Sequence, residues 1–192
     1  MSGDDVDLLV GAARAGGGWA FGRLWERYSP VVHGYLRARG VRDPEDVTSE
    51  VFLAAFRRVG DFEGDGRAFR AWLFTIAHHM AVDAVRRGPQ RHESPVDVVE
   101  DGRTSPSAEE GALAALGSAD VDRLLATLTP DQRDVLLLRV VGDLSLEETA
   151  SAVGKPVGAV KQLQHRALAT LRRRISEQAI TPGATTAIAG TR

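Results

Sequence analysis

The sequence predicts an all-α protein made of two small helical units joined by a flexible acidic linker, and three observations carry that expectation. Apolar residues recur at three- and four-residue spacing almost throughout, and strand-like alternation is nowhere convincing. Strong helix-opening signals sit at Asp43-Pro44, Thr129-Pro130 and Ser145 with Glu148 three residues on. Between about Gly88 and Ser107 the chain turns to Pro, Ser, Asp and Glu, a composition that cannot supply a core.

The elements follow in chain order. From Trp19, the residues Phe21, Leu24, Trp25 and Tyr28 share a face; Ser29-Pro30 interrupts, and Val31, Val32, Tyr35 and Leu36 resume until Gly40. This predicts two short helices or one kinked at the proline. At Asp43-Pro44-Glu45-Asp46 the aspartate is placed as N-cap, the proline at the first helical position, and two acids where they favour the positive end of the helix dipole. The helix so opened carries Val47, Val51, Phe52, Ala55 and Phe56 on one face and closes on Arg57-Arg58. Gly60 to Gly66 reads as a loop, after which Phe69, Trp72, Leu73, Ile76, Ala77, Met80 and Ala84 mark a longer amphipathic helix ending before Gly88-Pro89.

Beyond the linker, Val121, Leu124, Leu125 and Leu128 predict a short helix. A capping box at Thr129 opens a second that stops at Gly142, and another at Ser145 opens a third that ends at Gly154. After Lys155-Pro156 a fourth turns Val160, Leu163, Ala167, Leu168 and Leu171 inward and its basic residues outward. The expected boundaries are an N-terminal extension over 1–18, a first unit over 19–88, a linker over 89–112, a second unit over 113–176 and a disordered tail over 177–192.

Composition removes several function classes. The 192 residues contain no cysteine, which excludes thiol nucleophiles, disulfide frameworks and cysteine zinc sites. No apolar run approaches the roughly 20 residues of a membrane helix, and the opening MSGDDVDLLV is acidic where a signal peptide is basic, so a cytoplasmic protein with no membrane insertion is expected. A phosphate-binding Gly-rich loop and a His-Glu-x-x-His pair are both missing, so neither an enzyme nor a cofactor is expected. His78-His79 does not suit a metal, because adjacent helical residues point about a quarter-turn apart.

Charge is segregated although the net is only −2. Acids dominate from Gly88 to Asp120, whereas Lys155, Lys161, Arg166, Arg172, Arg173 and Arg174 face no acid between Lys155 and Ile175. A capped short helix, a tight turn and a longer basic helix over Ser145 to Arg174 have the arrangement of a helix-turn-helix, with Ser145 to Gln164 as its heart. Candidates for base edges and phosphates are Lys155, Lys161, Gln162, Gln164 and His165, with Arg166 placed for backbone charge. Capped helical hairpins also occur in proteins that bind no DNA. In the first unit, basic and aromatic residues from Arg67 to Arg87 interleave beside the Gly60 to Gly66 loop, a pattern suited to unstacked bases on a single strand.

Asp43 to Leu53, Phe69 to His79 and Asp83 to Arg87 resemble domain 2 of the extracytoplasmic-function sigma factors of bacterial RNA polymerase. Leu128 to Arg133, Gly142 to Ala150, Val157 to Lys161 and His165 to Leu168 resemble domain 4 of the same family. The resemblance spans roughly Trp19 to Arg174 in the family's order. It implies that the helix opened at Asp43 docks on core RNA polymerase through Asp46, Glu50, Val51 and Phe52. It further implies that Phe62, Arg67, Trp72, His78, His79, Arg86 and Arg87 open and hold the −10 element of promoter DNA, one base being extruded. The second unit would read the −35 element, and an anti-sigma factor would be a partner. The chain departs from the family pattern at Ser49, His79 and Gln162-Leu163. An autonomous helix-turn-helix regulator and an inert sigma-like decoy are the competing readings.

Overall fold

The computed structural model describes residues 3–87 and 120–180, and every regular element among them is helical. The first unit comprises α1 (Gly3–Arg14), α2 (Gly18–Arg39), α3 (Pro44–Arg58), a 3-10 turn (Val59–Asp61) and α4 (Gly66–Arg87). The second comprises α5 (120–126), α6 (Pro130–Val140), α7 (Leu146–Val153) and α8 (Val157–Ile180). The linker expected over 89–112 lies outside the described residues. Of the tail expected over 177–192, residues 177–180 belong to α8, and the rest lies outside the described residues.

One further expectation is corrected. The N-terminal segment is not an appendage: α1 places Val6, Leu9, Val10 and Ala13 in the core at the i, i+3, i+4, i+7 spacing of a buried face. Asp7 Oδ1 also accepts the Gly66 amide at 2.5 Å, satisfying a free N–H in the first turn of α4. Of the two alternatives at Ser29-Pro30, the structure shows the single helix: α2 runs through Pro30. The ring sits on the exposed side while Ala20, Leu24, Tyr28, Val32, Tyr35 and Leu36 keep a continuous buried stripe across it. Packing of that stripe outweighs the lost backbone bond. The helix ends at Gly40, whose φ of 90° is a left-handed cap.

Aromatic rings knit the first unit together. Phe21 lies 4.7 Å from Phe56, Trp25 meets Phe52 edge-on at 4.7 Å, and Tyr35 meets Phe74 edge-on at 5.6 Å. The two units are not separate bodies. Leu128, Leu136, Leu137, Leu138 and Leu144 of the second belong to the same buried cluster as Leu73, Phe74, Ala77 and Ala81 of α4. A smaller cluster of Val135, Ala150 and Val160, with Leu146, Val153 and Leu163 against it, holds α6, α7 and α8 together.

Candidate nucleic-acid interface

The α7–turn–α8 hairpin is fixed by local chemistry at each joint. Ser145 Oγ accepts the Glu148 amide at 3.1 Å while the Glu148 carboxylate accepts the Ser145 amide at 2.5 Å, so two free N–H groups are satisfied reciprocally. Gly154 ends α7 with φ +64°, and the Lys155 amide donates to Ala150 O at 3.0 Å. The Pro156 carbonyl then accepts the amides of Ala159 and Val160 at 2.9 and 3.1 Å and launches α8.

Val160 and Ala167 are fully buried and Leu163 is half-buried, which rotates Lys161, Gln162, His165 and Arg166 onto the exposed side of α8. Four predicted contact residues therefore share one accessible surface at the helix start. Two others are placed differently. Gln164 is half-buried, and the Lys155 ammonium is already paired with Asp131 at 3.0 Å. Further along α8, Glu177 pairs with Arg174 at 3.0 Å and so weakens the positive charge toward that end.

On α4 the structure divides the predicted set. Trp72, half-buried, lies between Phe62 at 5.1 Å and Phe69 at 5.8 Å, making an aromatic platform beside the loop. His79 and Arg86 are exposed, Arg86 pairing with Asp83 at 3.1 Å, and Arg67 is exposed with its Nε 3.4 Å from Glu148 of α7. The side chain of Arg87 lies outside the described residues. His78 is a correction, because it is 5% exposed and its Nδ1 is 3.1 Å from the Tyr35 hydroxyl. Burial first, then His79 and Arg39, lower its pKa to about 4, so it is a neutral core group and not a DNA contact.

α3 carries the second correction. Val51 and Phe52 are 0% and 1% exposed and belong to the core, so neither side chain can meet a partner. Asp46 and Glu50 are exposed, and the apolar residue that shares their side is Leu53, 51% exposed, with Trp25 of α2 38% exposed nearby over Phe52. Sequence reasoning missed Leu53 although it falls off the Val47, Val51, Phe52, Ala55 stripe. Asp43 occupies the N-cap position without a side-chain bond, and the Thr48 hydroxyl donates to Pro44 O at 2.6 Å. Ser49, exposed, back-bonds to Glu45 O at 3.1 Å. Among the described residues no group of three or more His, Cys, Asp and Glu could hold a metal, and no helix is long and apolar enough to cross a membrane.

A capped helix-turn-helix joined to a helical unit with an aromatic and basic surface is the arrangement found in a class of DNA-recognition proteins. Sigma-70 region 2 matches residues 24–91 and sigma-70, region 4 matches residues 118–171. The chain belongs to the sigma-70 family and, within it, to the extracytoplasmic-function (ECF) RNA polymerase sigma factors. ECF RNA polymerase sigma factor BldN of Streptomyces coelicolor is 39% identical over 174 residues, covering 89% of this chain and 66% of that protein. ECF RNA polymerase sigma factor SigD of Mycobacterium tuberculosis is 37% identical over 180 residues, covering 90% of this chain and 84% of that one. Among solved structures, CnrH in complex with the cytosolic domain of CnrY is similar, with a TM-score of 0.67 and 29% identity over 90% of this chain and 98% of that one.

Proposed function

We propose that this ECF sigma factor acts as a dissociable subunit that docks on core RNA polymerase, recognises promoter DNA through both units and opens it, with no chemistry of its own, in the cytoplasm. One observation carries the reading: a single chain presents an exposed polar and basic surface at the start of α8 and an aromatic and basic one on α4. The start of α8 suits duplex in the major groove, and the Phe62–Trp72 platform with His79 and Arg86 suits unstacked bases. The exposed Asp46, Glu50 and Leu53 of α3, one apolar residue beside two acids, supply the polymerase contact. An anti-sigma partner belongs to the same reading, in keeping with the second protein bound to CnrH.

The test is run-off transcription from a pool of promoter fragments with bacterial core polymerase, with and without this chain, and with starts mapped. Discrete new starts sharing upstream sequence are expected, and Glu50→Lys should weaken polymerase binding. Silence, with DNA still bound by the chain alone, would instead establish an autonomous helix-turn-helix regulator.

A further inference from the structure

The exposed side of α8 is not uniform, and its order follows from a turn of about 100° per residue. Val160, Leu163 and Ala167 set the inward direction. Directly opposite run Gly158, Gln162, His165 and Ala169, all of them exposed and spaced by three or four residues. This outermost line holds no lysine or arginine. Lys161 and Arg166 flank it, each about a fifth of a turn away and on opposite sides.

The side chains at the centre of this surface are also uncommitted. Among the described residues no hydrogen bond or ion pair engages Lys161, Gln162 or Arg166, whereas Asp131 holds Lys155 and Glu177 holds Arg173 and Arg174. Gly158 adds an independent observation. A glycine weakens a helix, yet the backbone here is not left-handed, and a Cβ would meet nothing within 4 Å. Nothing inside the chain asks for a glycine at this position. One turn before Gln162 on the outermost line, its bare backbone lowers the profile of α8 and lets the helix sit deeper against a ligand.

A line free of cations between two flanking positive charges matches the major groove, which is about 12 Å wide, admits one helix, and has phosphates along both rims and base edges on its floor. The flanks meet the rims and the outermost line meets the floor. There the Gln162 amide offers an oxygen acceptor and an N–H donor side by side. Adenine presents the complementary N6 donor and N7 acceptor, whereas guanine presents two acceptors, cytosine a donor, and thymine an acceptor beside a methyl group. Any base but adenine leaves one atom of a desolvated amide unpaired. We propose that Gln162 is a specificity-determining residue that selects an adenine in the −35 element through paired bonds to N6 and N7. In this arrangement Gly158 gives the close approach the side chain needs, and Lys161 and Arg166 hold phosphates on either side. The proposal rests on the promoter-recognition reading, which supplies the duplex.

The experiment uses the full chain, alone and bound to core polymerase, on a duplex that the native chain selects from a randomised pool. Each base pair of that duplex is then exchanged in turn. For the native chain, one A·T pair should cost about tenfold or more in affinity when exchanged. Gln162→Ala should reduce that penalty to about twofold and leave the penalties at other positions unchanged. 7-Deazaadenine, which lacks the N7 acceptor, should weaken binding by the native chain at that pair and make no difference to Gln162→Ala. Gly158→Leu should melt no lower than the native protein by circular dichroism, yet bind every duplex about tenfold more weakly.

Penalties that Gln162→Ala leaves as they were, or lowers equally at all positions, would overturn the readout. A loss centred on a pair other than A·T would overturn the choice of adenine, and a Gly158→Leu chain that binds as the native one does would overturn the close approach. If polymerase with the native chain yields no transcript, the promoter-recognition reading fails, while the duplex selected by the chain alone still decides whether Gln162 reads adenine. If no duplex is recovered in either form, both fall.

Discussion

Replacing Phe52 and Leu53, neighbours on α3, should separate core from contact. Phe52 is 1% exposed and packs against Trp25 and Phe56, so Phe52→Ala deletes a buried ring and should cost about 3–5 kcal/mol of stability. For a chain of this size that lowers the melting temperature by roughly 10 °C or more. Leu53 is 51% exposed, and Leu53→Ala should change the free protein's stability by no more than about 0.5 kcal/mol. If polymerase covers what water now covers, about half of a leucine's burial, on the order of 1 kcal/mol, is lost from binding, a five- to tenfold weaker Kd. Thermal melts followed by circular dichroism and titration of dye-labelled chain with core polymerase measure the two quantities. A Leu53→Ala chain that binds as the native one does, while Glu50→Lys does not, would remove Leu53 from the docking surface. A Phe52→Ala chain that melts like the native protein would refute the assignment of that ring to the core.

His78 should make the protein acid-sensitive. Its folded pKa of about 4 lies below the ordinary 6.5, so the unfolded chain binds the extra proton and stability falls as pH drops from about 6.5 to 4, by roughly 3 kcal/mol at most. Asp134, raised by burial, opposes this below the point where it protonates. His78→Gln should flatten urea-melt stability across that window, and a curve parallel to the native one would refute the assignment. Gly154→Ala forces a side chain into φ +64° and should cost about 1–2 kcal/mol in thermal melts, with Gly154→Asn milder. An alanine variant as stable as native would show that the turn relaxes. On a duplex carrying a mapped promoter, Lys161→Ala and Arg166→Ala should each reduce the slope of log K against log salt by about one, and Lys155→Ala by less because Asp131 already pairs with it. Equal effects for all three would mean that this ion pair gives way when DNA binds.

What the sequence revealed and what it concealed follow from the range of the interactions. The capping boxes at Thr129 and Ser145 are contacts across three residues, so the residue types state the geometry directly. Pattern also located the helix-turn-helix and the polar side of α8. It failed where the resemblance set the contacts before burial was weighed: the resemblance implies Val51 and Phe52, although both lie on the core stripe and Leu53 does not. His78 erred the same way, since Phe74, Ala77, His78 and Ala81 form one buried stripe and its neighbour His79 faces water. The periodic Val6, Leu9, Val10 and Ala13 of α1 were equally present, hidden by the glycines that follow.

The seam between the units had no local signal at all, because Arg39 and Asp134 lie 95 positions apart. Its chemistry combines apolar packing with buried charge. A junction of leucines alone would hold the units closed and, once open, expose an apolar patch prone to stick elsewhere. Arg39, Asp134 and Arg70 change that balance, since each regains hydration when the units separate and each loses it on closing. The leucines of α6 favour contact, and the buried charges make that contact conditional on exact pairing.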